Sequence, residues 1–408
     1  MSSITYDSSE NKITVIGFSE SSPCTFEDLY QASQDNGWGV VDKTGDSCYV
    51  IKSKIVIGDG ETWTYFADKL KTVVFTSDVV LEYTDRIFDV KRHGYLWFGE
   101  GDESTRSGHN GCVFHFEDAT VNSYSSGIFG DSESDARIYG CTFISKRGET
   151  LLSVLNLKGD VARVWDCKFI GGGHPVSVTP NLDVNNMNVT DATYGMPYGS
   201  QPAFPFTRLF IKFCYYGVYF YDSSVYDLKD CVFANNHYTI HTVDLSDAAR
   251  LTDCEADNWN IDWSGSPTED AKIERAYSFK VKVIDNEGNP IEDALVELYD
   301  KDGNKIFSEL TDSNGETSEH SIVSITYTPS ETIDNNPYTV KIYKEGYTPL
   351  ETKITIDRKM VNLVWVLDAL IHIIDQIYDE IVAHRDATED KINDIYNEVK
   401  KIPKIIEI

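Results

Sequence analysis

The stretch Ala136 to Ser145 reads ARIYGCTFIS, and Ala162 to Gly171 reads ARVWDCKFIG. The phrase repeats around a cysteine, and six of the eight cysteines, Cys112, Cys141, Cys167, Cys214, Cys231 and Cys254, carry versions of it. Three places before the cysteine stand Ile138, Val164, Ile211, Leu228 and Leu251, with His109 as the departure at Cys112. One place before stand Gly111, Gly140, Asp166, Asp230 and Asp253, with Phe213 as the exception. Two places after stand Phe114, Phe143, Phe169, Tyr216 and Phe233, weakening to Ala256. The cysteine and the aromatic lie on one face of a strand, because strand side chains alternate. The apolar residue at −3 breaks that parity, so the chain must bend between them. Gly and Asp tolerate the left-handed conformation such a bend uses.

The intervals between these cysteines are 29, 26, 47, 17 and 23 residues. The 47 covers either two repeats or one repeat and an insertion. Short strands and bends at this spacing, without helical periodicity, predict a coil of parallel strands whose equivalent positions stack. The chain resembles the right-handed parallel β-helix proteins of the pectate-lyase-like group over residues 45–265, about nine rungs. A zinc site would want CxxC pairs or close Cys/His spacing, and the sequence has no CxxC. Stacked cysteines come close enough for disulfides, yet a cysteine also serves as a small buried apolar residue. The expectation is packing, with no metal and no cofactor.

Residues 1–44 read as a strand and a helix that caps the coil. Thr25 suits the N-cap, Glu27 and Asp28 the first turn, and Gly37 the position just past the end. The segment 173–206 is rich in Asn, Pro, Tyr and Gly and shows no periodicity, so it reads as an insertion on the flank. Its Tyr194, Met196, Tyr198 and Phe204 form the expected ligand-binding surface, against the plainer reading of an inert loop. Asn188-Val-Thr190 is a formal glycosylation sequon.

After a linker at 266–276 the texture changes to alternating stretches separated by Asn-Glu-Gly-Asn, Lys-Asp-Gly-Asn and Ser-Asn-Gly-Glu turns. Gly288, Pro290, Ala294, Val296, the turn from Thr311 and Asp312 to Gly315, and Lys344, Gly346 and Tyr347 resemble the carboxypeptidase-regulatory-like and Cna-B-like domains. That resemblance implies an Ig-like or prealbumin-like β-sandwich over 277–367, a spacer or adhesion module. The Asp-rich turns are expected to be turn chemistry, since no full EF-hand loop is present.

From 368 to 408 the pattern is a helix ended by Pro403. Ile371, Tyr378, Arg385, Ile392 and Val399 share one heptad position, and Ile374, Ile381, Thr388, Ile395 and Ile402 its partner. Arg385 and Thr388 make a polar break in this seam. β-branched residues at both positions favour three or four strands over two. The oligomerising residues are therefore expected to be Ile371, Ile374, Tyr378, Ile381, Ile392, Ile395, Val399 and Ile402. A lone amphipathic helix packed on the preceding domain is the alternative.

The formal charge is −30, which disfavours a nucleic-acid partner. The N-terminus lacks the basic and apolar regions of a secretory signal. The run VNLVWVL carries Asn362 and is too short for a membrane span. Candidates for carboxylate chemistry are Asp222, Asp227, Asp230, Asp253, Glu255 and Asp257, with His237, His241 and Arg250. They follow neither the polygalacturonase nor the pectate-lyase pattern. The mainly β order of parallel β-helix, β-sandwich and C-terminal coiled-coil helix is similar to that of viral tail fibres and spikes. The expectation is a non-enzymatic, homotrimeric virion component, made in the host cytoplasm and extracellular when mature. It would contact other virion proteins and a host surface glycan or protein. A polysaccharide-degrading enzyme and a cell-surface adhesin are the rivals.

Overall fold

The computed structural model describes residues 2–76, 78–81, 86–100, 108–116, 120–121, 125–146, 152–197, 199, 205–369, 377 and 395–399. The fold is mainly β, with several parallel sheets. The chain divides into two compact units, Met1–Arg275 with Tyr327–Thr332, and Ala276–Thr326 with Ile333–Ile408.

In the first unit the chain visits three sheets in rotation. One circuit runs Ser125–Gly130, Asp135–Tyr139, Thr142–Ile144; the next runs Leu152–Leu157, Val161–Trp165, Lys168–Ile170. Each strand pairs in parallel with its counterpart, Ile128 with Leu155, Ala136 with Ala162, and Phe143 with Phe169. The first sheet ends at His174–Val176, where Tyr194 N–H donates to Gly173 O at 2.9 Å. From there Tyr194–Met196, Tyr216–Tyr221, Tyr238–Val243 and Ile261–Ser264 form a fourth sheet in the rotation.

Alternation sends one column of side chains inward from each sheet. Ile138, Val164, Val184, Phe206, Leu228 and Leu251 form one fully buried column. Phe114, Phe143, Phe169, Val189, Ile211 and Phe233 form another. Within it the Phe114 and Phe143 rings stack at 5.2 Å, and Phe143 and Phe169 at 5.0 Å. Strand spacing of about 4.8 Å sets that separation, and each aromatic pair adds about 1 kcal/mol beyond burial.

Between the second and third sheets the chain turns a corner on one residue. Gly140, Asp166, Asn186, Arg208, Asp230 and Asp253 all have φ between 52° and 63° there. The N–H groups of Gly140, Asp166, Asn186, Arg208 and Asp230 each donate to the next circuit, Asp166 to Asn185 O and Asp230 to Thr252 O, both at 3.0 Å. Gly140 is also held by crowding: a Cβ would meet His109 O at 2.5 Å. Gly111 does not adopt the left-handed conformation. His109 instead packs behind this corner, its Nδ1 2.8 Å from Asp166 Oδ2.

The pairing changes two readings of the sequence. Within segment 173–206, residues 173–197 are not an aperiodic insertion, because their strands His174–Val176, Leu182–Asn185, Asn188–Thr190 and Tyr194–Met196 take regular places in the ladders. In these circuits Met187 and Leu209 replace the cysteine, and Asn186 and Arg208 replace the Gly or Asp of the corner. The register Phe169–Val189–Ile211–Phe233–Ala256 makes this explicit. Cys214 is therefore out of phase with the other five. It lies at the following corner, level with Ala192 and Asn236, because Tyr194, Tyr216 and Tyr238 are in register. All eight cysteines are free thiols, and all but Cys48 are buried.

Helix Phe26–Asp35 starts at Thr25, whose Oγ1 accepts the Asp28 N–H while Asp28 Oδ2 accepts the Thr25 N–H at 2.8 Å. This closed pair satisfies two helix-end donors. Phe26 is buried among Phe66, Phe88 and Phe98.

In the second unit, Lys305–Leu310, Leu295–Tyr299, Tyr338–Tyr343 and Leu350–Ile354 form an antiparallel sheet in that order. Phe279–Asp285 pairs in parallel with Met360–Leu367. Phe279, Val281 and Val283 from one sheet and Val296, Leu298, Val340 and Ile342 from the other share one buried cluster. Three turns repeat one device. Asp285 Oδ1 accepts the N–H groups of Glu287 and Asn289, Asp300 those of Asp302 and Asn304, and Asp312 those of Asn314 and Glu316. The side-chain amides of Asn289 and Asn304, which also donate to Asp285 and Asp300, and at Asp312 chiefly the Glu316 N–H, hold all three carboxyls below the ordinary Asp range.

Of the expected seam, Ile395 and Val399 fall in the described helical stretch 395–399, with Ile395 exposed. Ile371, Ile374, Tyr378, Ile381, Ile392 and Ile402 lie outside the described residues. Among the described residues no helix is long and apolar enough to cross a membrane.

Candidate aromatic binding face

The fourth sheet turns its inner residues, Met196, Val218 and Ile240, into the core and its alternate residues outward. Tyr194, Tyr216 and Tyr238 are consecutive in its ladder, and their rings line up with that of His174. His174 and Tyr194 lie 4.7 Å apart with planes 4° apart, Tyr194 and Tyr216 5.2 Å, and Tyr216 and Tyr238 5.8 Å. A second row joins Tyr219, His241 and Asp262, which are also in register. His241 stacks on Tyr216 at 4.1 Å and places Nδ1 2.8 Å from Asp262 Oδ2. Burial lowers His241, and the Asp262 carboxylate pulls it partly back. Burial alone holds His174 down to about 4, so its ring is neutral at pH 7.

Beside this sheet, three circuits pass the corner where Cys214 lies. They contribute Asp191, Ala192 and Thr193; Phe213, Cys214 and Tyr215; and Asn235, Asn236 and His237. Together these line an open cleft of about 640 Å³. Phe213 is 51% exposed and Tyr215 49%, and Tyr215 stacks on the His237 ring at 4.7 Å. Asn236 ties the circuits together, accepting the Cys214 N–H and donating to Ile211 O, each at 3.0 Å. The Cys214 thiol is pushed up to about 12, mainly by burial, so it is no nucleophile at neutral pH. The corner residues Gly171, Asp191, Phe213 and Asn235 all have positive φ. For Phe213 that conformation costs about 1–2 kcal/mol.

The structure separates the expected ligand-binding residues. Tyr194 stands on the outward face, half-buried in the ring stack. Met196 is 0% exposed and belongs to the core, since strand alternation turns it inward two places after Tyr194. Tyr198 and Phe204 lie outside the described residues. Phe213, Tyr215 and His237, which the sequence reading did not select as ligand-binding, form an exposed aromatic group on this flank. A signal was present: Tyr194, Tyr216 and Tyr238 recur every 22 residues, and the triplets before them align.

The charged candidates are spread over several corners. Asp230 and Asp253 hold the left-handed corner, and Asp222 another, where Ser246 Oγ donates to it at 2.7 Å. Asp257 Oδ2 accepts the Asn235 N–H at 2.7 Å. Glu255 is exposed opposite Val232. Asp227 and Arg250 do come together, with Glu274: Arg250 bonds Glu274 Oε2 at 2.6 Å. Close packing raises the Asp227 carboxyl, and Arg250 partly offsets this through its charge and its backbone N–H. Among the described residues no group of three or more His, Cys, Asp or Glu could hold a metal ion.

The chain matches no protein-family model and no curated protein.

Proposed function

We propose that the protein is a non-enzymatic attachment component of a virion, a trimeric spike, turret or tail fibre that contacts a host surface. In this reading the rotating parallel sheets wind as a right-handed parallel β-helix that presents the binding face. The second unit is an Ig-like or prealbumin-like β-sandwich spacer, and the helix from 368 bundles three chains as a coiled coil. The observation that carries the reading is the aromatic flank. The outward stack from His174 through Tyr194 and Tyr216 to Tyr238 adjoins a cleft whose rings are half exposed. Exposed aromatics on a rigid sheet are a recognition surface that keeps its shape before the partner arrives. The eight free thiols suit a protein assembled in a reducing cytoplasm.

Light scattering on residues 1–408 and on a truncation at 367 tests the assembly. The expected full-length mass is three times 46.0 kDa, falling to the monomer on truncation; a monomer in both overturns the trimeric fibre. The approach of Asp227, Arg250 and Glu274 favours one rival, a glycan hydrolase. Release of sugars from capsule or cell-wall polysaccharide, abolished by Asp227→Asn, would replace the attachment reading with that one.

A further inference from the structure

The aromatic cleft has a feature that core packing does not explain. At its corner the neighbouring circuits use Gly171, Asp191 and Asn235, residue types that accept a left-handed backbone. Phe213 takes the same conformation with φ of 55°, yet half of its surface faces solvent. A bulky ring here bears backbone strain without gaining full burial, and such strain concentrates at binding sites. Next to it Tyr215 is equally exposed and is braced by the His237 ring.

Apart from the rings and the buried Ala192 and Cys214, the lining is polar, with Asp191 its carboxylate. Asp191, Thr193 and Asn235 offer hydroxyl and carboxylate or amide groups, and among the described lining residues there is no lysine or arginine. The chain as a whole carries −30, so sulfated, sialylated or uronate ligands meet repulsion with no counter-charge in the cleft. Flat apolar surfaces beside hydrogen-bonding groups, without positive charge, suit a ring with an apolar face and a hydroxylated rim.

We propose that the cleft between Asp191 and His237 binds a neutral sugar residue, its C–H face against Phe213 and Tyr215 and its hydroxyls bonded to Asp191 and Asn235. This deepens the attachment reading and rests on it for the source of the sugar, a glycan on the host surface. Phe213 and Tyr215 are the stacking residues. Asn236 is a positioning residue, because its amide is already bonded within the fold.

The test is an array of neutral, sialylated and sulfated glycans probed with the full-length protein, followed by calorimetric titration of the retained neutral glycan. Wild type is expected to retain at least one neutral glycan and none of the anionic ones. Phe213→Gly and Tyr215→Ala are each expected to weaken binding tenfold or more. Phe213→Gly should melt no lower than wild type, because glycine relieves the left-handed corner. Retention of no neutral glycan, preference for anionic glycans, or affinity unchanged in both variants overturns the site. Host-cell attachment, measured in parallel, separates the two proposals. Wild type, Phe213→Gly and Tyr215→Ala that bind the glycan and attach to cells equally well leave the attachment reading standing and overturn the sugar site. Sugar binding lost in Phe213→Gly, with no cell attachment by wild type, supports the sugar site and removes the attachment reading.

Discussion

The imidazole of His174 lies flat on the phenol of Tyr194, ring centroids 4.7 Å apart and planes 4° apart. The contact buries a titratable ring, and burial holds His174 at about 4 against an ordinary 6.5. Between those values the unfolded chain binds a proton that the folded chain does not, so acidification favours unfolding across that window and adds nothing below it. Stability is expected to fall by roughly 3 kcal/mol from this group between pH 6.5 and 4. In His174→Gln that portion of the loss should vanish. Thermal melts of both proteins at pH 7, 5.5 and 4 check this; parallel pH profiles would refute it.

Phe143 sits between Phe114 and Phe169 in the buried column. Phe143→Ala removes its ring contacts with Phe114, Phe116 and Phe169 and opens a cavity that the flanking strands cannot close. The expected loss is about 3–5 kcal/mol. It should appear in urea as a lower midpoint with an unchanged slope.

Thr25 closes its bond pair with Asp28 at the start of the helix. Thr25→Ala should cost about 1 kcal/mol, and Thr25→Ser should recover most of it. Equal stability of all three proteins in thermal melts would remove the cap from the account.

Seven of the eight thiols are buried, and Cys48 is the exception. Burial pushes Cys167 and Cys214 up to about 12 and also raises Cys24, Cys141 and Cys254. In the native protein Cys48 is expected to react first with a colorimetric disulfide reagent. All eight should react in guanidinium without reductant. Fewer than eight there would mean that disulfides link the stacked cysteines.

Met196→Ala and Tyr194→Ala probe opposite faces of one strand. The Met196 change should lower stability by about 2–5 kcal/mol through the core. The Tyr194 change removes a half-buried outer ring and should cost less. Chemical denaturation of the two variants distinguishes them, and a larger loss in Tyr194→Ala would reverse the assignment of faces.

Local rules were legible wherever one residue carries one requirement. The Gly or Asp before Cys141, Cys167, Cys231 and Cys254 marks a left-handed corner, and Gly140, Asp166, Asp230 and Asp253 adopt it. Thr25 marks the helix start because a short side chain must accept a backbone N–H there. The aromatic at +2 marks the buried column because strand parity is strict. Phase along the chain was not legible. Ile211, Phe213, Cys214 and Tyr216 satisfy the same local phrase, yet they straddle a different corner, since both corners ask for an apolar inward residue, a left-handed residue and a small buried one.

The sequence by itself determined that this chain repeats, where several corners fall and which residues begin the helix, because those depend on neighbours a few places apart. The tertiary structure decided register and exposure. Met187 and Leu209 continue the cysteine column, which makes residues 173–197 part of the ladder. Met196 faces the core, and Phe213, Tyr215 and His237 meet on one cleft. Those outcomes depend on which strand pairs with which about 22 residues away, and inter-strand hydrogen bonding, unlike a corner, leaves no mark on any single residue.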